Sequence, residues 1–203
     1  MNLFEHHSDP SKNWLPKDGV VNYYCKIFNQ EQSDYFLNAL LIDIEWQHDE
    51  LYMFGKKIVT KRKVAWYGGK DLKYTYSNTT KQALEWTDEL LKLKQKVQHL
   101  TGTSFNSCLL NLYHDGNEGM GWHSDDEKEL LENGAIASLS LGAERKFSFK
   151  HRESKHKVDF ILEHGSLIVM KGETQRHWRH QLPTTTKSNL PRINLTFRTT
   201  LST

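Results

Sequence analysis

Apolar and polar residues recur along this chain with two periods, and the places where one gives way to the other mark its elements. An irregular lead-in over residues 1–28 ends in a short extended piece, Val20 to Ile27. Asn29 then offers an N-cap. Phe36, Leu37, Leu40 and Leu41 recur at helical spacing and predict an amphipathic helix from Gln30 to about Leu41. A longer helix of about five turns is predicted from Thr80, because Trp86, Leu90, Leu93, Val97 and Leu100 lie four and three apart and Gly102 stops the run.

The rest keeps period two. Trp46 to Lys63 reads as extended with Met53-Phe54-Gly55 at a hairpin tip, and in Leu72 to Ser77 the two tyrosines, Tyr74 and Tyr76, share a face. Phe105 to Tyr113 alternates, with Leu109, Asn111 and Tyr113 opposite Cys108, Leu110 and Leu112. Short strands follow at Ala135 to Leu141, Lys146 to Phe149, Val158 to Leu162 and Ser166 to Met170, around turns at Gly142-Ala143-Glu144 and Glu163-His164-Gly165. Pro183 to Leu190 is a loop before the last strand. Two early helices and many short strands predict a mainly β fold with flanking helices, a double-stranded β-helix or jelly roll whose sheets enclose a site.

Candidate chemistry begins at Trp122 to Glu127. His123 and Asp125 are two apart, so in an extended segment both side chains leave one face and can share a ligand. With 11 histidines in the chain, such a pair means little alone. Of the downstream histidines, His164 sits in a turn and reads as solvent-exposed, whereas His177 and His180 flank Trp178 and both can approach a metal; His180 is the better supplier. Two imidazoles and a carboxylate form the facial triad of non-haem Fe(II) oxygenases. In the last strand Arg192, Asn194, Thr196 and Arg198 alternate with Ile193, Leu195 and Phe197. An ordinary half-buried strand shows the same pattern, but two inward guanidiniums suit a dicarboxylate, which arginine binds through paired hydrogen bonds. An inward Asn111 and Tyr113 would cost about 1–3 kcal/mol each if unsatisfied, which points to a polar ligand.

Composition narrows the picture. A chain of 203 residues is expected to form one domain over 1–203. Cys25 and Cys108 have no metal-ligand spacing, so reduced thiols in an intracellular, non-secreted protein are expected, and a zinc site is not. No window reaches the roughly 18 apolar residues of a membrane span. The net charge of +2 does not by itself name a nucleic-acid partner, although basic residues cluster at Lys56-Lys57, Lys61 to Lys63 and Arg145 to Lys157.

Asn111-Leu112-Tyr113, Trp122 to Glu127, Trp178 to Pro183 and Arg192 to Arg198 together resemble the AlkB family of Fe(II)- and 2-oxoglutarate-dependent nucleic-acid demethylases, most of all the homologues acting on duplex DNA. The similarity runs from about residue 50 to residue 199. It implies a 2-oxoglutarate oxygenase jelly roll, with Fe(II), 2-oxoglutarate and O2 as cofactor and co-substrates. The family pattern of aromatic, any residue, His, then Leu-Pro selects His180 to join His123 and Asp125 as metal-binding and catalytic. Asn111, Tyr113, Arg192, Asn194, Thr196 and Arg198 would bind 2-oxoglutarate, with Arg192 assigned to the distal carboxylate and Arg198 nearer the metal end, although the sequence does not settle which is which.

The same resemblance makes about 46–78 a nucleotide-recognition region. Phe54 and Gly55, beside Lys56, match an apolar tip that enters the base stack, and a Phe folded back onto the core is the other reading of the same residues. Tyr76 would stack on the target base, with Tyr74 and Thr75 beside it. Arg62 would contact nucleic acid, and Asp126 a cationic base or, equally, a surface partner. The implied activity is removal of methyl groups from bases such as 1-methyladenine and 3-methylcytosine in DNA, duplex favoured, by a monomer in the cytoplasm of a bacterium or the nucleus of a eukaryote. The alternatives are the same chemistry on single strands, RNA or a protein side chain, a binding module without turnover, and a zinc hydrolase.

Overall fold

The computed structural model describes residues 9–53, 56–70, 72–76 and 79–201, with the side chains of 49–53, 56–58, 74–76 and 79–81 left aside. The first half runs β1 (Val20–Lys26), α1 (Gln30–Asp43), β2 (Gln47–Met53), β3 (Lys56–Gly68), β4 (Lys73–Tyr76), β5 (Thr79–Gln82), β6 (Leu84–Glu85) and α2 (Asp88–Thr101). The second half is β7 (Ser107–Tyr113), β8 (Met120–His123), β9 (Ile136–Gly142), β10 (Arg145–His151), β11 (Lys157–Leu162), β12 (Ser166–Lys171), the one-turn helix α3 (Thr174–His177), β13 (Trp178–Leu182) and β14 (Arg192–Arg198).

From β7 onward the chain passes between two sheets. The larger is ordered β1-β12-β9-β14-β7-β3-β2, with β6 on β3, and the smaller β11-β10-β13-β8. This is the expected double-stranded β-helix. Because α1 and α2 cover one face of the large sheet and the small sheet faces the other, its central strands β9, β14 and β7 are buried on both sides. Ile193, Leu195 and Phe197 join Leu40, Leu90, Leu93 and Val97 in the helix-side core. Phe147, Phe149, Phe160, Ile168, Met170 and Trp178 form a second core that includes Leu182 and Tyr113. Each such buried apolar side chain stabilises the fold by roughly 1.5–3 kcal/mol. The polar positions of β14 are left to face the space between the sheets.

The helices correct the sequence reading in part. At α1, Asn29 accepts from the Gln32 N–H while the Gln32 side chain accepts from Asn29, a reciprocal cap. The second helix starts at Asp88 and not near Thr80, and its 14 residues match α1 in length. Thr87 caps it through the Leu90 N–H, Asp88 and Glu89 favour its N-terminal dipole, and the preceding residues pair as β5 with β4. Gly102 closes the helix in the left-handed region at φ 64°, as expected. His164 is not a solvated turn residue: its Nδ1 accepts from the Gly142 N–H at 2.8 Å and its Nε2 meets Asp34 at 3.1 Å, tying α1 to the end of β9. Arg145, which the sequence groups with a basic cluster, is buried and donates to the carbonyls of Asp115, Gly116, Glu118 and Pro183. Cys25 is half-buried and Cys108 buried, and no disulfide joins them. Among the described residues no helix is long and apolar enough to cross a membrane.

Candidate metal centre and active site

His123 ends β8 and pairs across the ladder with His180 of β13, and the ring centroids lie 4.2 Å apart. Asp125 does not share a strand face with His123, because the strand stops at His123. It sits just beyond, where the turning chain brings its Oδ1 to 3.7 Å from His123 Nε2 and 3.8 Å from His180 Nε2. These separations are too long for hydrogen bonds. The three donor atoms lie within 4.8 Å of one another.

Protonation suits a cation at that point. His123 Nδ1 lies 2.8 Å from the Gly121 carbonyl, which can only accept, so Nδ1 is the donor and Nε2 is the nitrogen left toward Asp125 and His180. Burial, with His123 and Arg198 nearby, pulls His180 down to about 3 against the opposing pull of Asp125, so this imidazole is neutral at physiological pH. Burial pushes the Asp125 carboxyl up, but Arg198 and the two histidines outweigh it and hold the group below the usual carboxylate range. Arg198 Nη2 reaches Asp125 Oδ2 at 2.9 Å and leaves Oδ1 toward the histidines. An anionic oxygen and imidazole nitrogen donors converging this way fit a divalent metal.

A cavity of about 130 Å3 adjoins the triad. The nine residues expected to bind metal and 2-oxoglutarate all line it: His123, Asp125 and His180 with Asn111, Tyr113, Arg192, Asn194, Thr196 and Arg198. β14 supplies alternate positions because it lies between β9 and β7 at the centre of the large sheet. Arg198 is occupied by Asp125 and by Glu127 at 3.4 Å. Arg192 differs. It donates to Ser140 Oγ at 2.9 Å and Asn194 Oδ1 at 3.3 Å, both neutral, and burial pulls it down to about 10. Arg192 Nε and Asn111 Oδ1 are buried and have no hydrogen-bond partner among the described residues. A buried cation and an orphaned acceptor on one cavity fit a polar, anionic ligand.

Three residues of this site escaped the sequence reading. Ser138 and Ser140 of β9 support the β14 side chains, Ser138 Oγ donating to Asn194 Oδ1 at 2.7 Å and Ser140 accepting from Arg192. Their signal was a serine at alternate positions in an otherwise apolar strand. Glu127 lines the cavity and pairs with Arg198, and no spacing rule marked it. Of the expected substrate contacts, Arg62 is buried and donates to Met120 Sδ at 3.0 Å. Asp126 is exposed and lies 3.6 Å from Arg152 Nη2. Lys56, Tyr74, Thr75 and Tyr76 are described by backbone alone, in β3 and β4, and Phe54 and Gly55 lie outside the described residues.

Asp18, His151 and His177 form a second group of metal-ligand types. There His151 Nδ1 accepts the backbone N–H groups of Glu153 and Ser154 at 3.2 and 3.1 Å, which places its proton on Nε2, facing Asp18 at 3.1 Å. A ring so placed has no lone pair for a metal. The contact fastens the lead-in to the end of β10.

The fold and the donor set define a non-haem metal oxygenase built on two facing β-sheets. The chain belongs to the 2OG-Fe(II) oxygenase superfamily, whose profile matches residues 19–198, and within it to the AlkB family. It is similar to the DNA oxidative demethylase ALKBH2 of Homo sapiens, 37% identical over 209 residues that cover 98% of this chain and 80% of that protein. Alpha-ketoglutarate-dependent dioxygenase alkB homolog 3 of Homo sapiens is 37% identical over 189 residues, covering 88% of this chain and 65% of its own length. The solved structure of OsALKBH1 superposes with a TM-score of 0.63 at 18% identity, covering 92% of this chain and 99% of that one, a likeness of fold. The chain is thus a dioxygenase that uses Fe(II), 2-oxoglutarate and O2.

Proposed function

We propose that this enzyme demethylates N-alkylated bases in DNA, 1-methyladenine and 3-methylcytosine among them, with duplex as the favoured form. The observation that carries the reading is the convergence of nine separately expected residues on one cavity. The ALKBH2 relatives, named DNA oxidative demethylases, supply the substrate class. The Met53-Phe54-Gly55 sequence supports the duplex, since an apolar wedge fills the gap left by an extruded base and has no use on a protein substrate.

His123, Asp125 and His180 would hold Fe(II), with Arg198 fixing the Asp125 carboxylate. Arg192 would pair with the distal carboxylate of 2-oxoglutarate, because it is the arginine of this strand without an acidic partner among the described residues, while Asn111 and Tyr113 offer polar atoms beside it. Bound Fe(II) supplies oxygen activation coupled to decarboxylation of 2-oxoglutarate, so the methyl carbon leaves as formaldehyde and succinate and CO2 are formed. Asp126 stands on the wall of a neighbouring cleft of about 640 Å3 that shares Asp125 and Glu127 with the inner cavity. An acid there suits a base carrying positive charge, and such a base, which cannot pair normally, is the less costly one to extrude. Arg62, Tyr74, Thr75 and Tyr76, with Phe54, Gly55 and Lys56, are assigned to the nucleic acid, and the protein to a monomeric, single-domain, intracellular enzyme.

The test is formaldehyde release from one methylated sequence offered as duplex DNA, single-stranded DNA and RNA. Duplex DNA should be turned over fastest, and Phe54→Ala should lower that rate more than the single-strand rate. Equal loss on both forms would remove the wedge, and turnover of RNA alone would overturn the DNA assignment.

A further inference from the structure

Asp125 lies outside the β-ladder, so its backbone needs a partner that no strand supplies. That partner is a side chain from α3: Gln175 Oε1 accepts the Asp125 N–H at 2.9 Å. Gln175 is itself oriented, since its Nε2 donates to Met170 Sδ of β12 at 3.3 Å. The preceding residue is fastened to the same region, with Ser124 Oγ donating to the Trp178 carbonyl at 3.0 Å and accepting from Arg152 Nη2 at 2.8 Å. Asp125 is therefore gripped at two points. Arg198 holds Oδ2, and Gln175 holds the backbone from which the carboxylate swings.

We propose that Gln175 is a positioning residue of the metal centre, fixing the Asp125 main chain so that Oδ1 meets the two imidazoles. This rests on the reading of His123, Asp125 and His180 as the iron site. A loop residue has few local constraints, and a shift of its backbone moves the carboxylate relative to two rings that the ladder keeps in place. Arg198 alone cannot prevent this, because one ion pair to Oδ2 leaves the carboxylate free to turn about that contact. Groups that orient metal ligands in this way are typically worth about 10–100-fold in metal affinity.

The experiment uses Co(II) as a redox-silent probe and the full chain, measuring its dissociation constant and its visible ligand-field absorption. Gln175→Met keeps the length and loses the oxygen acceptor; Gln175→Ala removes the acceptor without adding apolar bulk. Gln175→Glu retains a carboxylate oxygen at the same reach. We expect the first two to bind Co(II) at least tenfold more weakly, with altered absorption, and Gln175→Glu to stay within threefold of the wild type with an unaltered spectrum. Urea midpoints of the metal-free proteins identify any variant that has lost its fold, and alanine and methionine serve as alternates. The proposal is overturned if the folded acceptor-free variant binds like the wild type, or if Gln175→Glu loses as much as it does. Failure of the iron-site reading looks different: His123→Ala would then bind Co(II) as well as the wild type.

Discussion

Replacing Arg192 by methionine should move stability and ligand affinity in opposite directions. Arg192 is 2% exposed, and its hydrogen-bond partners Ser140 and Asn194 are neutral. Burial holds its guanidinium near 10. A cation whose folded value lies below its unfolded one weakens the fold at every pH below the folded value, so at neutral pH the full penalty is present, of order 3 kcal/mol. Methionine removes that penalty and loses two hydrogen bonds worth about 1 kcal/mol each. The ligand-free variant should be as stable as the wild type or up to about 2 kcal/mol more so, as when buried ionic groups give way to apolar ones of similar volume. Binding of 2-oxoglutarate should suffer. Two charge-assisted hydrogen bonds at about 1.5–3 kcal/mol each amount to about 3–6 kcal/mol, or about 10²- to 10⁴-fold in Kd. Urea unfolding with and without 2-oxoglutarate, and calorimetric titration, read both quantities. A variant destabilised by about 3 kcal/mol or more that still bound 2-oxoglutarate within about threefold of the wild type would refute the reasoning.

Three further outcomes follow from the geometry. Arg198→Met removes the largest of the forces that oppose burial at Asp125, whose carboxyl then rises, so the pH below which Co(II) binding fails should move upward, read by a pH series of metal titrations; an unmoved midpoint contradicts it. The metal-free fold should weaken as pH falls below about 6.5, because the unfolded chain takes up a proton that His180, held near 3, refuses, and His180→Gln should flatten that slope in urea midpoints. Gly116→Ala should cost about 1–3 kcal/mol or more, because a Cβ there would lie 2.1 Å from the Thr185 carbonyl oxygen and 2.7 Å from that of Ser188; an unchanged urea midpoint would show that the loop yields freely.

The legible parts of this protein were those set by periodicity or by motif. Alternation over Arg192 to Arg198 separated the helix-side core from the cavity wall, and the structure keeps that division residue by residue. What alternation could not show was that both faces are buried, since that depends on which sheet lies opposite. The His123-Asp125 spacing brought the two residues to one point, but not through a shared strand face: the strand ends between them, and side chains far away in sequence, Gln175 and Arg198, bond to Asp125. The start of the second helix was misplaced because Trp86 continues the helical spacing backward past Thr87, the true cap. His164 looked like a solvated turn residue because sequence alone cannot show Asp34 approaching it from another element.

The central claim concerns one iron and the three side chains that grip it, and single turnover tests it most directly. Anaerobic protein is loaded with Fe(II), 2-oxoglutarate and a methylated duplex, exposed to oxygen, and succinate and formaldehyde are counted per protein. One of each is expected from the wild type and from His177→Ala, and neither from His123→Ala, Asp125→Ala or His180→Ala. Full product from His180→Ala with none from His177→Ala would contradict the account.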